Sequence, residues 1–281
     1  MKKNNELGKY AKNVFSQFGE DGVLQKVFEI LPDSNKWCVE FGAWDGKYLS
    51  NCYNLLSNYG WSGVMIEANK KKFQELKKNY AENARVHLIN RFVSFEGTNT
   101  LDDILKTTPI PKDFDLLSID IDGNDYYIWE TVVEFSPKVV VIEFNQTIPS
   151  DVRFVQEKNV KINQGASILS ITELAQKKGY ELITATLCNA IFVKKQYFGL
   201  FGIGDNSPSI LWDQEAEAPR VFQLYDGTIA LSKEFELLWN NVNVKRFDLQ
   251  KLPKHLRVFS DSQGIKGLFR KFLFKLYKKS S

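Results

Sequence analysis

The feature that most constrains the fold is a rhythm of short apolar runs, most of them closed by a carboxylate, separated by stretches with helical apolar spacing. The runs are Trp37 to Phe41, Gly63 to Glu67, Val86 to Ile89, Phe114 to Asp120 and Val139 to Glu143. Runs this short and continuous read as strands buried on both faces, the habit of parallel sheets. Between them, Leu49 to Tyr59 and Lys71 to Tyr80 have helical spacing, and strand alternating with helix builds βαβ units. A helix from Ser170 to Lys178, stopped by Gly179, leads into the run Tyr180 to Thr186, and Ala190 to Val193 follows after only a few residues. So short a link admits a hairpin and no helical crossover. The expectation is an α/β, Rossmann-like fold of seven strands, mostly parallel with an antiparallel last strand.

Three segments organise around that sheet. Residues 1–35 hold the turn-rich Ser16 to Gly22 and an amphipathic helix from Val23 to Pro32, read as a cover over the site. Residues 36–198 form the ligand-binding sheet domain, and 199–281 are an extension. Within the domain, Asp151 to Ser167 is a long connection at the strand ends, read as a substrate-covering loop.

Composition narrows the class. The chain has 281 residues and is 43% hydrophobic, enough for one large core. Its formal charge is only +3, and much of the positive excess sits in the last residues, so the body is slightly acidic, which argues against a nucleic-acid partner. No secretory signal and no run of membrane-spanning length is visible. Cys38, Cys52 and Cys188 lack zinc-ligand spacing, so a reducing cytoplasm with free thiols is expected, Cys38 serving as packing. Of the two histidines, His87 reads as structural.

The run Glu40-Phe41-Gly42-Ala43-Trp44-Asp45-Gly46 sits where the first strand turns toward its helix, the place where open α/β sheets bind ligands. Gly42 and Gly46 permit a tight turn and close approach of the backbone. The spacing lacks the third glycine of a dinucleotide fingerprint, so a ligand without phosphates fits better. Glu67, ending the second strand, is placed to accept the two hydroxyls of a ribose; Ala68 and Asn90 are candidates for the adenine side. A solvated strand end for Glu67 and a turn role for Asn90 are the plain alternatives.

The fourth run closes on Ser118-Ile119-Asp120-Ile121-Asp122-Gly123-Asn124-Asp125, and Glu143 and Asn145 follow the fifth. Alternation puts Asp120 and Asp122 on one side. Such a group can take the proton of an acceptor hydroxyl, or hold Mg²⁺ through Asp120, Asp122 and Asn145. Crowded carboxylates repel, so one of them should hold its proton unusually tightly unless a cation is present.

Thr100-Leu101-Asp102-Asp103-Ile104-Leu105 followed by Phe114 to Gly123 resembles the FkbM-type methyltransferases. A bacterial branch of these is resembled through Ser16-Gln17-Phe18-Gly19-Glu20-Asp21-Gly22, the Glu40 to Gly46 run, Leu49-Ser50-Asn51 and Val141-Ile142-Glu143-Phe144-Asn145. The resemblance spans about Ser16 to Phe198. It implies a class I methyltransferase fold and an S-adenosylmethionine-dependent O-methyltransferase. Glu40, Phe41, Gly42, Ala43, Gly46 and Glu67 would hold the cofactor, and Asp120 and Asp122 would flank its methyl group. Gln17 and Glu20 would close over the pocket, and Tyr48, Asn51, Glu143 and Asn145 would face the acceptor. Tyr48, Asn69 and Gln146 depart from the pattern, where histidine, an acidic residue and proline are expected. The implied acceptor is a sugar hydroxyl, on a nucleotide-linked or lipid-linked glycan precursor. The rival readings are a metal-dependent glycosyltransferase using Asp120 and Asp122, and a non-catalytic binding module.

From Gly264 to Lys279, Leu268, Phe269, Phe272, Leu273, Leu276 and Tyr277 interleave with basic residues at helical spacing. This reads as a basic amphipathic helix, suited either to peripheral contact at the inner membrane surface or to docking on a subunit.

Overall fold

The computed structural model describes residues 6–212, 219–224, 228–237, 242–250, 253, 256, 268–269, 272–273 and 275–277. The strands β1 (Trp37–Phe41), β2 (Ser62–Ile66), β3 (Val86–Ile89), β4 (Leu116–Ile119), β5 (Val139–Glu143), β6 (Tyr180–Ala185) and β7 (Asn189–Lys194) form one sheet. Their order is β3-β2-β1-β4-β5-β7-β6, with β7 antiparallel to both β5 and β6. This is the class I methyltransferase arrangement, and the hairpin expected after the sixth strand is its antiparallel element.

Helices cover both faces because successive strand residues point to opposite sides. In β5, Val139 and Val141 face one core while Val140 and Ile142 face the other. The first core is closed by α1 (Glu20–Ile30), α2 (Tyr53–Asn58) and α3 (Lys70–Asn79), through Val23, Leu24, Val27, Leu56 and Leu76. The second is closed by α4 (Leu101–Leu105), α5 (Asp125–Thr131) and α6 (Ile168–Lys177), through Ile104, Trp129 and Ile171. Trp129 is its largest fully buried side chain, edge-on to Tyr180 and tilted on Phe192.

The helix expected from Leu49 starts only at Tyr53. Ser50 is tied to Glu40, Leu49 has a left-handed φ of 58°, and these fix Tyr48 to Cys52 as loop. Asn69, a departure from the family pattern, caps α3 by accepting from the N–H groups of Lys71 and Lys72. His87 stacks on Trp37, Cys38 is buried in the core, and Cys52 and Cys188 are likewise buried free thiols.

The chain divides into Met1–Gln214 and Glu215–Ser281. The N-terminal segment and the short helices α7 (Lys195–Phe198) and α8 (Pro208–Leu211) therefore belong with the sheet, and the boundary lies beyond the expected 198/199. The second unit contains two hairpins, β8 (Val221–Gln223) with β9 (Ile229–Leu231) and β10 (Phe235–Leu237) with β11 (Val242–Val244). In the final segment Leu268, Phe269, Phe272, Leu273, Lys275, Leu276 and Tyr277 are helical, while Lys266, Arg270, Lys271, Lys278 and Lys279, and also His255, lie outside the described residues.

Candidate active site

Parallel strands bring β1, β2, β4 and β5 to a common carboxyl end, and the site is built there. After β1 the chain turns at Gly42, whose φ of 72° and an Asp120 carbonyl 2.1 Å from where a Cβ would sit require glycine. The Ala43 N–H continues the sheet by donating to the Ile66 carbonyl at 3.1 Å. Glu67 then gathers the loop: one carboxylate oxygen accepts from the Trp44 N–H at 2.8 Å, the other from the Asn69 N–H at 2.5 Å. Asn90 braces the same corner, donating to the carbonyls of Glu67 and Ala68 at 2.7 and 3.2 Å.

A cavity of about 330 Å³ opens at these strand ends, within the size range of small-molecule sites. Gly42, Trp44, Glu67 and Ala68 line it from the ends of β1 and β2, with Lys72 over the Trp44 ring at 4.4 Å. Arg91, Phe92 and Val93 line it from the segment after β3, and Asp120, Ile121, Asp122 and Asn124 from the segment after β4. Val160 and Asn163 complete it, so the connection read as a covering loop does reach the site. That loop is held by Gln156, which donates to Asn124 and the Ile162 carbonyl and accepts from the Gln164 and Gly165 N–H groups.

The acidic end has internal order. Asp125 accepts from the N–H groups of Ile121 and Gly123 at 2.9 and 2.8 Å and shapes the turn. Asp122 sits at a left-handed φ of 58°. Asp120, Asp122 and Glu143 each bring an oxygen within 4.8 Å of the others, the donor chemistry of a hard divalent cation. Asn145, expected among the metal ligands, is turned elsewhere: its Oδ1 accepts from the Thr147 N–H and hydroxyl, and its Nδ2 donates to the Gln164 carbonyl. Glu143 stands in its place.

Burial sets the proton affinities here. Asp120 is pushed up to about 8, first by burial and then by the charges of Asp125 and Asp122. Burial and the neighbouring Asp120 push Glu143 up to about 10, the two carboxyls sharing a hydrogen bond. Asp125 rises to about 6 despite its two N–H donors. Asp120 and Glu143 cannot easily both ionise, so the pair keeps a shared proton at neutral pH while its remaining carboxylate is a stronger base than an ordinary one.

Several expected ligand residues support the site from behind. Glu40 is 5% exposed and accepts from the Ser50 hydroxyl at 2.5 Å and the Asn51 N–H at 2.9 Å. Asn51 passes the link to β4 by donating to the Ser118 hydroxyl at 3.1 Å. Phe41 and Ala43 are core residues. Gly46 is required by packing, since a Cβ there would lie 2.2 Å from a Leu76 methyl and 2.6 Å from the Tyr80 ring. Glu20 fastens the N-terminal segment to the last hairpin: its carboxylate accepts from Thr186, from Asn189 opposite Glu143, and from the Phe18 N–H. Gln17 and Tyr48 are exposed and line no part of the cavity.

Of the lining residues, Arg91, Phe92 and Val93 were not among the expected ones; they directly follow Asn90 at a strand end, which was their available signal. Val160 and Asn163 belong to the long connection expected to cover the substrate, though its length pointed to the loop and not to these two positions.

Residues 94–182 match the methyltransferase FkbM domain. The FkbM resemblance of the motifs is borne out over that stretch, which runs from the approach to α4 into β6 and carries Asp120, Asp122, Glu143 and Asn145. The Glu40-to-Glu67 side lies before it. No curated protein matches the chain. Among solved structures, the N-terminal domain of EvdMO1 with SAH bound is similar at 12% identity and a TM-score of 0.40, covering 62% of this chain and 80% of that one. TYW2 of M. jannaschii in complex with AdoMet is similar at 17% identity and a TM-score of 0.36, covering 66% and 80%. The glycopeptide N-methyltransferase MtfA complexed with SAM is similar at 13% identity and a TM-score of 0.38, covering 64% and 94%. Likenesses at this level carry no functional argument, and the fold rests on its own strand order.

Proposed function

We propose that this FkbM-type chain uses S-adenosylmethionine to methylate a hydroxyl, and that the acceptor is a sugar of a nucleotide-linked or lipid-linked glycan precursor. The observation that carries the reading is a cavity lined by both Glu67 and Asp120, with Glu143 grouped beside Asp120 and Asp122. S-adenosylmethionine supplies an electrophilic methyl group when bound. Glu67, already positioned by two backbone donors, keeps lone pairs for a ribose diol, and Phe92, half exposed at the wall, offers a face for a nucleobase. Asp120 orients the acceptor hydroxyl and receives its proton, a task suited to a base poised near 8. Glu143 keeps that proton shared and Asp125 keeps the turn rigid. A polyhydroxylated acceptor suits a pocket end rich in carboxyl groups, and the FkbM resemblance favours carbohydrate.

The test is calorimetric titration with S-adenosylmethionine and S-adenosylhomocysteine, alongside UDP- and GDP-sugars, each with and without Mg²⁺. Saturable binding of the sulfur nucleosides, weakened by Glu67→Ala and retained by Asp120→Asn, is expected. In transfer assays on a sugar panel, Asp120→Asn should lose at least about 100-fold in kcat, the usual contribution of general-base catalysis. Binding of sugar nucleotides alone, with a metal requirement, would replace this reading by the glycosyltransferase. Equal loss of cofactor binding in Asp120→Asn would remove the assigned base.

A further inference from the structure

We propose that the C-terminal helical segment is a docking element for an anionic lipid surface. Leu268, Phe269, Phe272 and Leu276 are helical and 69%, 60%, 57% and 49% exposed. At about 100° per residue, these four and Leu273 fall within an arc of about 140°, and Lys275 sits just beyond its edge on the Leu268 side. Two phenylalanines and two leucines facing solvent on one short helical face form a contiguous apolar stripe, the kind that marks a contact surface.

Charge identifies the occupant. Between Gly264 and Ser281 the sequence places Lys266, Arg270, Lys271, Lys275, Lys278 and Lys279 and no acidic residue. With those six set aside from the 37 basic residues of the chain, its 34 acidic residues outnumber the basic remainder, so positive charge is concentrated in the stretch of sequence that carries these apolar residues. A nucleic acid would use the cations and leave the phenylalanines and leucines in water. A protein groove would use the apolar stripe and need no such excess of cations. An anionic bilayer uses both, taking the rings and leucines into the acyl boundary while the ammonium groups meet lipid phosphates. Among the described residues no helix is long and apolar enough to cross a membrane, so the contact is peripheral. This inference stands apart from the methyl-transfer reading and has its own readout.

The experiment is co-sedimentation of the full chain with vesicles of phosphatidylcholine alone and of phosphatidylcholine with 30% phosphatidylglycerol, at low and high salt. Binding to the anionic vesicles should exceed binding to the neutral ones at least tenfold and fall steeply at high salt, since each basic residue near such a surface contributes about fivefold. Phe269→Ser/Phe272→Ser should reduce partitioning by at least tenfold, and Lys275→Glu by about tenfold or more, with the circular dichroism and melting of the chain unchanged. Equal binding to neutral and anionic vesicles, or no effect of the phenylalanine pair, would overturn the proposal. So would a concentration-dependent dimer in ultracentrifugation that Phe269→Ser/Phe272→Ser dissolves while vesicles capture nothing, since that assigns the stripe to a second copy.

Discussion

Replacing Glu40 by glutamine should change the pH dependence of stability more than its average. Burial raises the ionisation of Glu40 from its ordinary 4.5 to about 7, against the opposing hydrogen bonds of Ser50, Asn51 and Cys52 and with a small addition from the charge of Asp21. The folded chain therefore keeps this proton to higher pH than the unfolded chain. Its contribution to stability is fully present below 4.5, is lost as the pH rises to about 7, and is constant above that. At about 1.4 kcal/mol per pH unit, the loss over that window is ~3 kcal/mol. Glutamine never ionises, so the difference between the wild type and Glu40→Gln should swing by about 2 to 3 kcal/mol between pH 5 and pH 8. The amide also fits the Ser50 and Asn51 donors less well than the neutral carboxyl does, which costs about 1 kcal/mol for one poorer hydrogen bond. Glu40→Gln should accordingly be less stable than the wild type at pH 5 and equal or more stable at pH 8. Asp120, Asp125 and Glu143 are also raised and contribute to both proteins, so they largely cancel in the difference. Urea unfolding at pH 5, 6, 7 and 8 followed by tryptophan fluorescence measures it. Parallel stability curves would refute the claim that Glu40 ionises inside a desolvated site.

Gly42→Ala places a Cβ 2.1 Å from the Asp120 carbonyl at a φ of +72°, so we expect at least ~2 kcal/mol of destabilisation in urea melts and loss of cofactor titration heat. At the opposite end of the sheet, Asp115 is fully buried, pairs with Lys138 at 2.9 Å and accepts from the Lys36 N–H and the Ser34 hydroxyl. Asp115→Asn leaves the Lys138 charge buried and should cost about 3 to 5 kcal/mol in chemical unfolding, with much of that recovered in Asp115→Asn/Lys138→Met.

The strands were legible because each signal was local. Val139 to Ile142 is a continuous apolar run and Trp37 to Phe41 is interrupted only by Glu40, and so short an apolar run reads as a strand buried on both sides, being too short for a helix core. The short Thr186-to-Asn189 link likewise left no topology but a hairpin. By contrast, α4 has five residues and α5 seven, fewer than the two or three turns over which a helical period declares itself. In the site, residue type was legible and residue duty was not. Gly46 looks like a ligand-loop glycine, yet Leu76 and Tyr80, thirty residues on, are what demand it. Asn145, just past β5, was expected to join Asp120 and Asp122, but its side-chain oxygen is taken up by Thr147 in a local turn, and it is Glu143 that lies beside Asp120. Such choices depend on which of several available partners lies nearer in space, which spacing alone does not encode.

The same end of the sheet gathers four carboxyl groups whose proton affinities are all raised, Glu40, Asp120, Asp125 and Glu143. In a chain selected for stability alone these would be amides or apolar residues, since each buried ionisation weakens the fold above its unfolded pKa. Their cost is carried where backbone conformation is also unusual, at Gly42 and at Asp122 with its left-handed φ, and strain of this kind concentrates where a site is held ready for a ligand. The repulsion has a chemical direction: anything cationic entering the cavity relieves it, and a neutral molecule of the same shape does not. A sulfonium brought beside these carboxyl groups and a neighbouring hydroxyl giving up its proton to one of them both exploit that imbalance, so the features that destabilise the free site are those that would favour the charge distribution of methyl transfer.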